Sequence, residues 1–362
     1  MESAVIRTSL LPLCAVVLTA LAAAPAAQDP AALIEDGHLK QARAAIEARA
    51  SASPNDARTL YLQSRIRLAT GDAKSALPLA EQAAALEARN ADYRYQVAEC
   101  VGSMAQQAGA LKALGLAKRF KREAEATLAL DPRHTDAYEG LIEFYSVAPG
   151  IAGGNDRKAA ALAEELVAID AARGRMAQAT LAMRDKQEPK AEEAMRQALA
   201  ANANSYAVRV SLAHFYASDH QKKWDLVEQH ARAAVALEPA RVAPYATLAY
   251  LYTHLQRWDD LERLLGEAER AVPDNLAPWY QSGRTLLADD REPARAEKAF
   301  RRYLTQEPEF GSPSLAHAHW RLGLAIEKQG RKPEALAEIE TALKLKPDLD
   351  EAKKDLKRLK RD

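Results

Sequence analysis

Small or apolar marker residues recur along this chain at intervals of 32 to 44 residues. Proline stands twelve positions after six of the nine markers, at 54, 132, 239, 273, 308 and 347, although only 17 of the 362 residues are proline. This pattern predicts a row of similar units, each sheltering the apolar face of the next, instead of one globular core. The markers are Ala42, Ala76, Phe120, Ala159, Ala191, Val227, Leu261, Ala296 and Ala335, with separations of 34, 44, 39, 32, 36, 34, 35 and 39.

Each unit is predicted to be a helix, a turn and a second helix. Hydrophobic residues make up 48% of the chain but aromatic residues only 6%, and alanine supplies much of the apolar content. Chains rich in Ala, Leu, Glu and Arg favour helix. In the last clear unit Gly323 lies in the first helix, Gly330 breaks it, Ala335 opens the second and Pro347 ends it, because proline cannot continue a helix.

The ordered positions resemble the tetratricopeptide repeat, a 34-residue helix–turn–helix unit. The resemblance implies an all-α solenoid, a right-handed superhelix of stacked antiparallel helix pairs. It divides the chain into a truncated helix pair at 27–56, about eight repeats at 57–349 and a capping helix at 350–362. Segment 242–275 carries the pattern as Tyr245, Leu248, Ala249, Tyr252, Leu261, Leu265, Ala268 and Pro273, and segment 316–349 as Leu322, Gly323, Ile326, Ala335, Ile339, Ala342 and Pro347.

Residues 1–26 are predicted to be a signal peptide. Arg7 precedes the apolar stretch SLLPLCAVVLTALAAA, and small residues lead to a cleavage site near Ala26. We therefore expect a periplasmic or secreted protein with no stable membrane span after cleavage. Cys100 is then the only cysteine, so no internal disulfide can form, and we expect it to be a small buried side chain. The 50 basic and 50 acidic residues balance, which argues against nucleic-acid binding.

Two insertions interrupt the period in adjacent repeats. One, around residues 104–119, is expected to lengthen both helices of its pair. The other is the turn APGIAGGNDRKA, in which Gly150, Gly153, Gly154 and Asn155 are candidate functional residues. No strand precedes this turn and no nucleotide motif can be read from it, so a phosphate site is not expected. Two interpretations stay open: an enlarged, capped turn, or a loop that offers backbone N–H groups to a partner. The turn is similar to one in exported bacterial tetratricopeptide proteins with a PGxxGG sequence.

The resemblance also implies that the first helix of each repeat lines a concave groove. The clamp of Lys and Asn residues that binds C-terminal carboxylates in this family is absent, so that ligand cannot be carried over. Exposed Tyr, Trp and Arg residues are enriched at binding hot spots. The residues predicted to bind a partner in the groove are Arg58, Tyr61, Arg65, Tyr95, Glu99, Glu143, His214, Tyr250, Tyr280, Arg284 and Trp320.

The sequence shows no sign of catalysis. It contains no HExxH, no GxSxG and no cysteine pair for zinc, so we expect neither an enzyme nor a cofactor or metal site. The leading hypothesis is a scaffold that binds a protein or peptide partner of the cell envelope. The alternative is a small-molecule or lipid-binding accessory protein of an envelope transport system, and a third hypothesis is an unrecognised hydrolase.

Overall fold

The computed structural model describes residues 29–361, and all regular structure in this range is helical. The predicted signal peptide lies outside the described residues. The first ten α-helices are α1 (Pro30–Asp36), α2 (Leu39–Ala52), α3 (Ala57–Ala69), α4 (Ala73–Leu86), α5 (Ala91–Gln106), α6 (Ala110–Leu130), α7 (Thr135–Val147), α8 (Asp156–Ile169), α9 (Ala171–Arg184) and α10 (Glu188–Ala201). The others are α11 (Tyr206–Ala217), α12 (Trp224–Leu237), α13 (Ala243–His254), α14 (Trp258–Ala271), α15 (Ala277–Ala288), α16 (Pro293–Tyr303), α17 (Leu315–Glu327), α18 (Lys332–Leu345) and α19 (Asp350–Leu359).

Helices α3 to α18 form eight consecutive pairs, and each pair packs against the next. Short turns join the two helices of a pair and make them antiparallel. Successive first helices also contact one another at five places, α3–α5, α7–α9, α11–α13, α13–α15 and α15–α17, and most extensively at α13–α15, whereas successive second helices contact one another less. The first helices therefore line the inner side of a curved row. The predicted all-α solenoid is confirmed.

The repeated sequence marks have the predicted structural roles. Ala76, Ala159, Ala191 and Ala335 are fully buried between the two helices of their pairs. The six prolines at the twelfth step all lie in the connections between helices. Gly323 faces Ile339 of the second helix so closely that a Cβ atom would lie 2.6 Å from Ile339 Cγ1. Small residues thus set the distance between paired helices.

The insertion around residues 104–119 lengthens its pair, as predicted. Helix α5 has 16 residues and α6 has 21, whereas the first helices of the other pairs have 12 to 14 and the second helices 11 to 14. The second insertion, between α7 and α8, forms a 3₁₀ turn at Gly150–Ala152. Both insertions lie at neighbouring positions of the row.

The two ends of the chain are covered in different ways. At the C-terminal end, α19 packs on the last pair and buries Ala352 and Leu359. At the N-terminal end, α1 and α2 pack on α3 and also reach the second half of the chain. His38 Nδ1 lies 3.0 Å from Asp274 Oδ2, and the Lys40 backbone N–H donates to Glu309 Oε1 at 3.1 Å.

We call this contact between residues 35–43 and the connections at 238–242, 272–276 and 304–314 the clasp. The Arg241 guanidinium donates to the Glu35 carbonyl oxygen at 2.7 Å, and the Arg43 guanidinium lies 4.2 Å from the centre of the Phe310 ring. The connection 304–314 is the longest between two pairs and accounts for the last separation of 39 residues between markers. The solenoid therefore curves far enough to close on itself.

Candidate functional site

The predicted groove residues differ in how far they reach solvent. Arg58, Glu99, Glu143, His214 and Arg284 are exposed on first helices. Those that are half-buried are Tyr61, Arg65, Tyr250 and Trp320. The solvent-accessible members Arg58, Tyr61, Arg65, Glu99 and Glu143 lie on the first helices of three neighbouring pairs, and we call the side of α3, α5 and α7 that carries them the inner wall.

Two predicted groove residues, Tyr95 and Tyr280, are instead part of the core, a correction to their interpretation as exposed contacts. Their exposed fractions are 8% and 6%. The Tyr280 ring packs against Phe300 and Tyr303, and its hydroxyl accepts a hydrogen bond from Arg321 Nε at 2.8 Å. Both tyrosines occupy the fifth position of the repeat, where these side chains point between neighbouring helices instead of into the groove.

Three other predicted residues are held by partners within the chain. Arg58 donates two hydrogen bonds to the Asp29 carboxylate, and Arg65 lies 3.4 Å from Glu35 Oε1. Trp320 Nε1 donates to Asp355 Oδ2 in the capping helix at 2.8 Å. These contacts attach α1 and α19 to the stacked pairs. The three side chains therefore stabilise the ends of the solenoid within the free protein.

Carboxylates dominate the inner wall on α5 and α7. Asp136 and Glu139 both bind the Arg173 guanidinium of α9, and His134 Nε2 lies 3.1 Å from Asp92 Oδ1. Two further carboxylates, which belong to Glu99 and Glu143, have no ion pair among residues 29–361.

Glu99 lies in an electrostatic environment that disfavours its charge. Enclosure by the protein, reinforced by the negative charge of Asp136, raises the pKa of Glu99 to about 7. Its side chain nevertheless remains accessible from the groove. A cation placed beside Glu99 would offset the repulsion from Asp136 and favour the charged carboxylate, so this part of the inner wall is suited to a positively charged ligand group.

The glycine turn is held by its own backbone hydrogen bonds. Gly153 has φ +105°, a conformation that favours glycine, and a Cβ on Gly154 would overlap the Ala148 carbonyl oxygen. The N–H of Gly154 donates to the Pro149 carbonyl, and the N–H of Asn155 donates to the Tyr145 carbonyl at 2.7 Å. The Asn155 side chain caps α8 by accepting from the Lys158 N–H. The N–H groups of Gly153, Gly154 and Asn155 are therefore used within the turn itself.

An apolar pocket of about 480 Å³ lies where the two insertions meet. Such a volume is within the range of small-ligand pockets. Phe120 forms part of its wall and packs tightly against Gly102 and Gly140, where a Cβ would lie 3.0 and 3.1 Å from the ring. The wall comes from the end of α5, the extended start of α6, the second half of α7 and the glycine turn, and includes Ala105, Ala113, Leu114, Phe144, Val147 and Ile151.

Sequence reasoning did not find this pocket. Two signals for it were present in the sequence. The separations on either side of the marker Phe120, 44 and 39 residues, are both long, and this marker is phenylalanine where most repeats have alanine. The large marker side chain fits against Gly102 on α5 and Gly140 on α7, and the inserted residues extend the wall around it.

A second cluster of aromatic side chains lies in the later repeats. The Tyr250 ring stacks on His254 with centroids 5.8 Å apart, and Trp224 contacts both rings. His214 lies beside Thr247, with Nε2 3.1 Å from the hydroxyl oxygen, and burial lowers the pKa of its imidazole.

Between Asp29 and Arg361 no three or more His, Cys, Asp or Glu side chains are grouped as a metal ion would require. Cys100 is fully buried beside Ser64, as expected, and burial raises the pKa of its thiol, which disfavours a reactive thiolate. No helix in this range has both the length and the apolar character needed to span a bilayer.

Comparison with known proteins identifies the fold. No family model matches the sequence, and no curated protein sequence matches it. Among solved structures, yeast Tom70 superposes with a TM-score of 0.51 at 15% identity, covering 91% of this chain and 80% of its own. The chain has a tetratricopeptide-repeat fold. A thermophilic tetratricopeptide-repeat protein of Thermus thermophilus matches 52% of this chain and 96% of its own length at 19% identity, with a TM-score of 0.47. At these identities the similarity establishes the fold alone.

Proposed function

We propose that this tetratricopeptide-repeat solenoid is a non-enzymatic scaffold that binds a protein or peptide partner of the cell envelope on its inner wall. The envelope location is part of the proposal because residues 1–26 have the pattern of a signal peptide. Repeat solenoids present extended concave surfaces, which suit long and irregular ligands such as peptides.

The observation that carries the proposal is the pair of carboxylates, Glu99 and Glu143, on the inner wall. Both are accessible to solvent, and neither has an ion pair in the part of the chain that the structure describes. The raised pKa of Glu99 means that its charge is poorly compensated within the free protein. A lysine or arginine side chain of a partner would supply the missing cation, and charge complementarity of this kind favours specific association.

Site-specific photo-crosslinking in intact cells tests this proposal. A photoreactive amino acid at position 99 is expected to give a discrete crosslinked adduct, because this position faces the bound partner. The same amino acid at Gln197, exposed on the second helix α10, serves as the control. Mass spectrometry of the recovered protein also reports whether cleavage occurs near Ala26. Identical adducts from both positions, or none from position 99, would contradict binding on the inner wall.

A second candidate function is the binding of a small molecule or lipid in an envelope transport system. The apolar pocket is the observation that favours it, because about 480 Å³ of mostly apolar space could hold part of a lipid chain. In that case the ligand would occupy the pocket without contacting Glu99, and crosslinking from position 99 would give no protein adduct.

A further inference from the structure

The pocket at α5–α7 is surrounded by exposed apolar side chains. Leu111, Val147 and Ile151 have exposed fractions of 92%, 60% and 80%. Val147 and Ile151 belong to the pocket wall, and Leu111 follows the wall residue Ala110. Large apolar side chains are seldom left in contiguous exposed groups unless they contact a partner. The pocket and its rim therefore form one apolar surface available for binding.

A single charge accompanies this apolar surface. Glu143 is the only charged residue among those that line the pocket, and its carboxylate has no ion pair within residues 29–361. It lies on α7 one to two turns after Asp136 and Glu139, which share the single guanidinium of Arg173. An apolar cavity with one uncompensated carboxylate in its wall is complementary to an apolar group that carries a positive charge nearby.

We infer that the pocket receives a large apolar side chain of a peptide partner, and that a neighbouring lysine or arginine of the same peptide pairs with Glu143. This inference rests on the proposed function, because it specifies which segment of a partner the inner wall binds. The stretch of α7 from Glu143 to the apolar wall residue Val147 spans about 6 Å, a distance that an extended peptide covers in about two residues. An extended peptide advances about 3.3 Å per residue, so the basic residue lies within about three positions of the apolar one.

The charges of the inner wall favour a peptide over a fatty acid. The carboxylate of a fatty acid held in the pocket would lie near Glu143, with Glu99 further along the inner wall. Neighbouring carboxylates repel one another because their charges have the same sign. A peptide that leaves the pocket can continue along α5 and α7, where its basic side chains meet both carboxylates. The apolar side chain supplies affinity by burial, and the basic side chain fixes the register.

Binding of short synthetic peptides, measured by fluorescence anisotropy with the full chain, tests this inference. The probe has a serine–glycine background, one phenylalanine and one lysine two residues later. Two matched peptides replace phenylalanine by alanine or lysine by glutamate. We expect only the phenylalanine–lysine peptide to bind, and we expect Glu143→Gln to weaken it about three- to tenfold. Asp219→Asn, which removes one charge from a 96% exposed side chain, should leave binding unchanged.

A pocket-filling variant provides a second, independent test. Ala113→Trp places an indole in the pocket and should reduce peptide affinity about tenfold or more, whereas Gly115→Trp on the open side of α6 should not. The inference would be overturned if the glutamate peptide bound as tightly as the phenylalanine–lysine peptide. It would also be overturned if Glu143→Gln left the peptide affinity unchanged, or if Ala113→Trp did. Displacement of the peptide by a neutral long-chain alcohol at equal or lower concentration would assign the pocket to lipid instead. The crosslink from position 99 could still be present in these cases, so failure here is distinguishable from failure of the proposed function.

Discussion

At the residue scale, the packing of paired helices depends on glycines that face large side chains. Gly323 on α17 faces Ile339 on α18, and Gly283 on α15 faces the Phe300 ring on α16. In each pair the first helix has a glycine, which lacks a side chain, where the second helix has a large side chain. The same exchange at Gly102 on α5 admits Phe120 on α6, the residue that shapes the apolar pocket. One steric rule therefore serves both the fold and the candidate site.

Replacing Gly323 by leucine should destabilise the protein. The Cβ atom alone would lie 2.6 Å from Ile339 Cγ1 and 3.0 Å from the Ala335 carbonyl oxygen, and the rest of the side chain has no space. Overpacking of this kind costs about 1–3 kcal/mol or more, so the midpoint of chemical denaturation should fall. Gly115→Ala is the control, because a Cβ at that helical position meets nothing within 4 Å and alanine favours helix. An unchanged midpoint for Gly323→Leu would contradict the observed contact between α17 and α18.

At the element scale, the two insertions act as one structure. The extension of α6 and the glycine turn after α7 form neighbouring parts of a single pocket wall. The sequence predicted each insertion and offered a capped turn as one interpretation of the second, because turn and capping signals act over a few residues. The sequence did not predict that the two insertions contact each other around one pocket, because this depends on how the pairs α5–α6 and α7–α8 pack in space.

The glycine turn should be sensitive to a methyl group at Gly154 but not at Gly150. In Gly154→Ala the new Cβ would overlap the Ala148 carbonyl oxygen, whereas a Cβ at Gly150 meets nothing within 4 Å. We expect Gly154→Ala to lower the hydrogen-exchange protection of the Asn155 amide at least about tenfold, because its bond to Tyr145 depends on the turn. Gly150→Ala should leave that protection unchanged. Equal protection in both variants would show that the turn does not hold Asn155 in place.

At the scale of the whole molecule, the clasp joins residues more than 200 positions apart. Its contacts link the connection between α1 and α2 to the turns of three later pairs. The sequence contained the long connection at 304–314, but its role could not be predicted. Whether eight stacked pairs bring the two ends together depends on small rotations between pairs, and these accumulate along the row. The sequence pattern of a single repeat predicts the packing within a pair, but it does not predict the total rotation accumulated over eight pairs.

The clasp is expected to hold best in mildly acidic solution. His38 is 9% exposed, and its hydrogen bond with Asp274, together with the charges of Asp274 and Asp36, raises its pKa above the ordinary 6.5. The same contact with His38 lowers the pKa of Asp274 below 3.8, and Gln41 adds to this effect. Stability from the imidazolium is complete below pH 6.5 and is lost as pH rises through the raised pKa of His38. Stability from the carboxylate is present above pH 3.8 and is lost as pH falls through the lowered pKa of Asp274.

The two contributions together predict that raising the pH from 6 to 9 weakens the clasp. The radius of gyration from small-angle X-ray scattering should increase, and the exchange protection of the Lys40 amide, which donates to Glu309, should fall. In His38→Gln the imidazolium is absent, so both quantities should lose their dependence on pH over this range. His220→Gln, which changes an exposed histidine outside the clasp, should keep the response of the unmodified chain. If His38→Gln responds to pH as strongly as His220→Gln, the His38–Asp274 pair does not control closure, and the neighbouring contacts of Lys40, Arg43 and Arg241 hold the ends together instead.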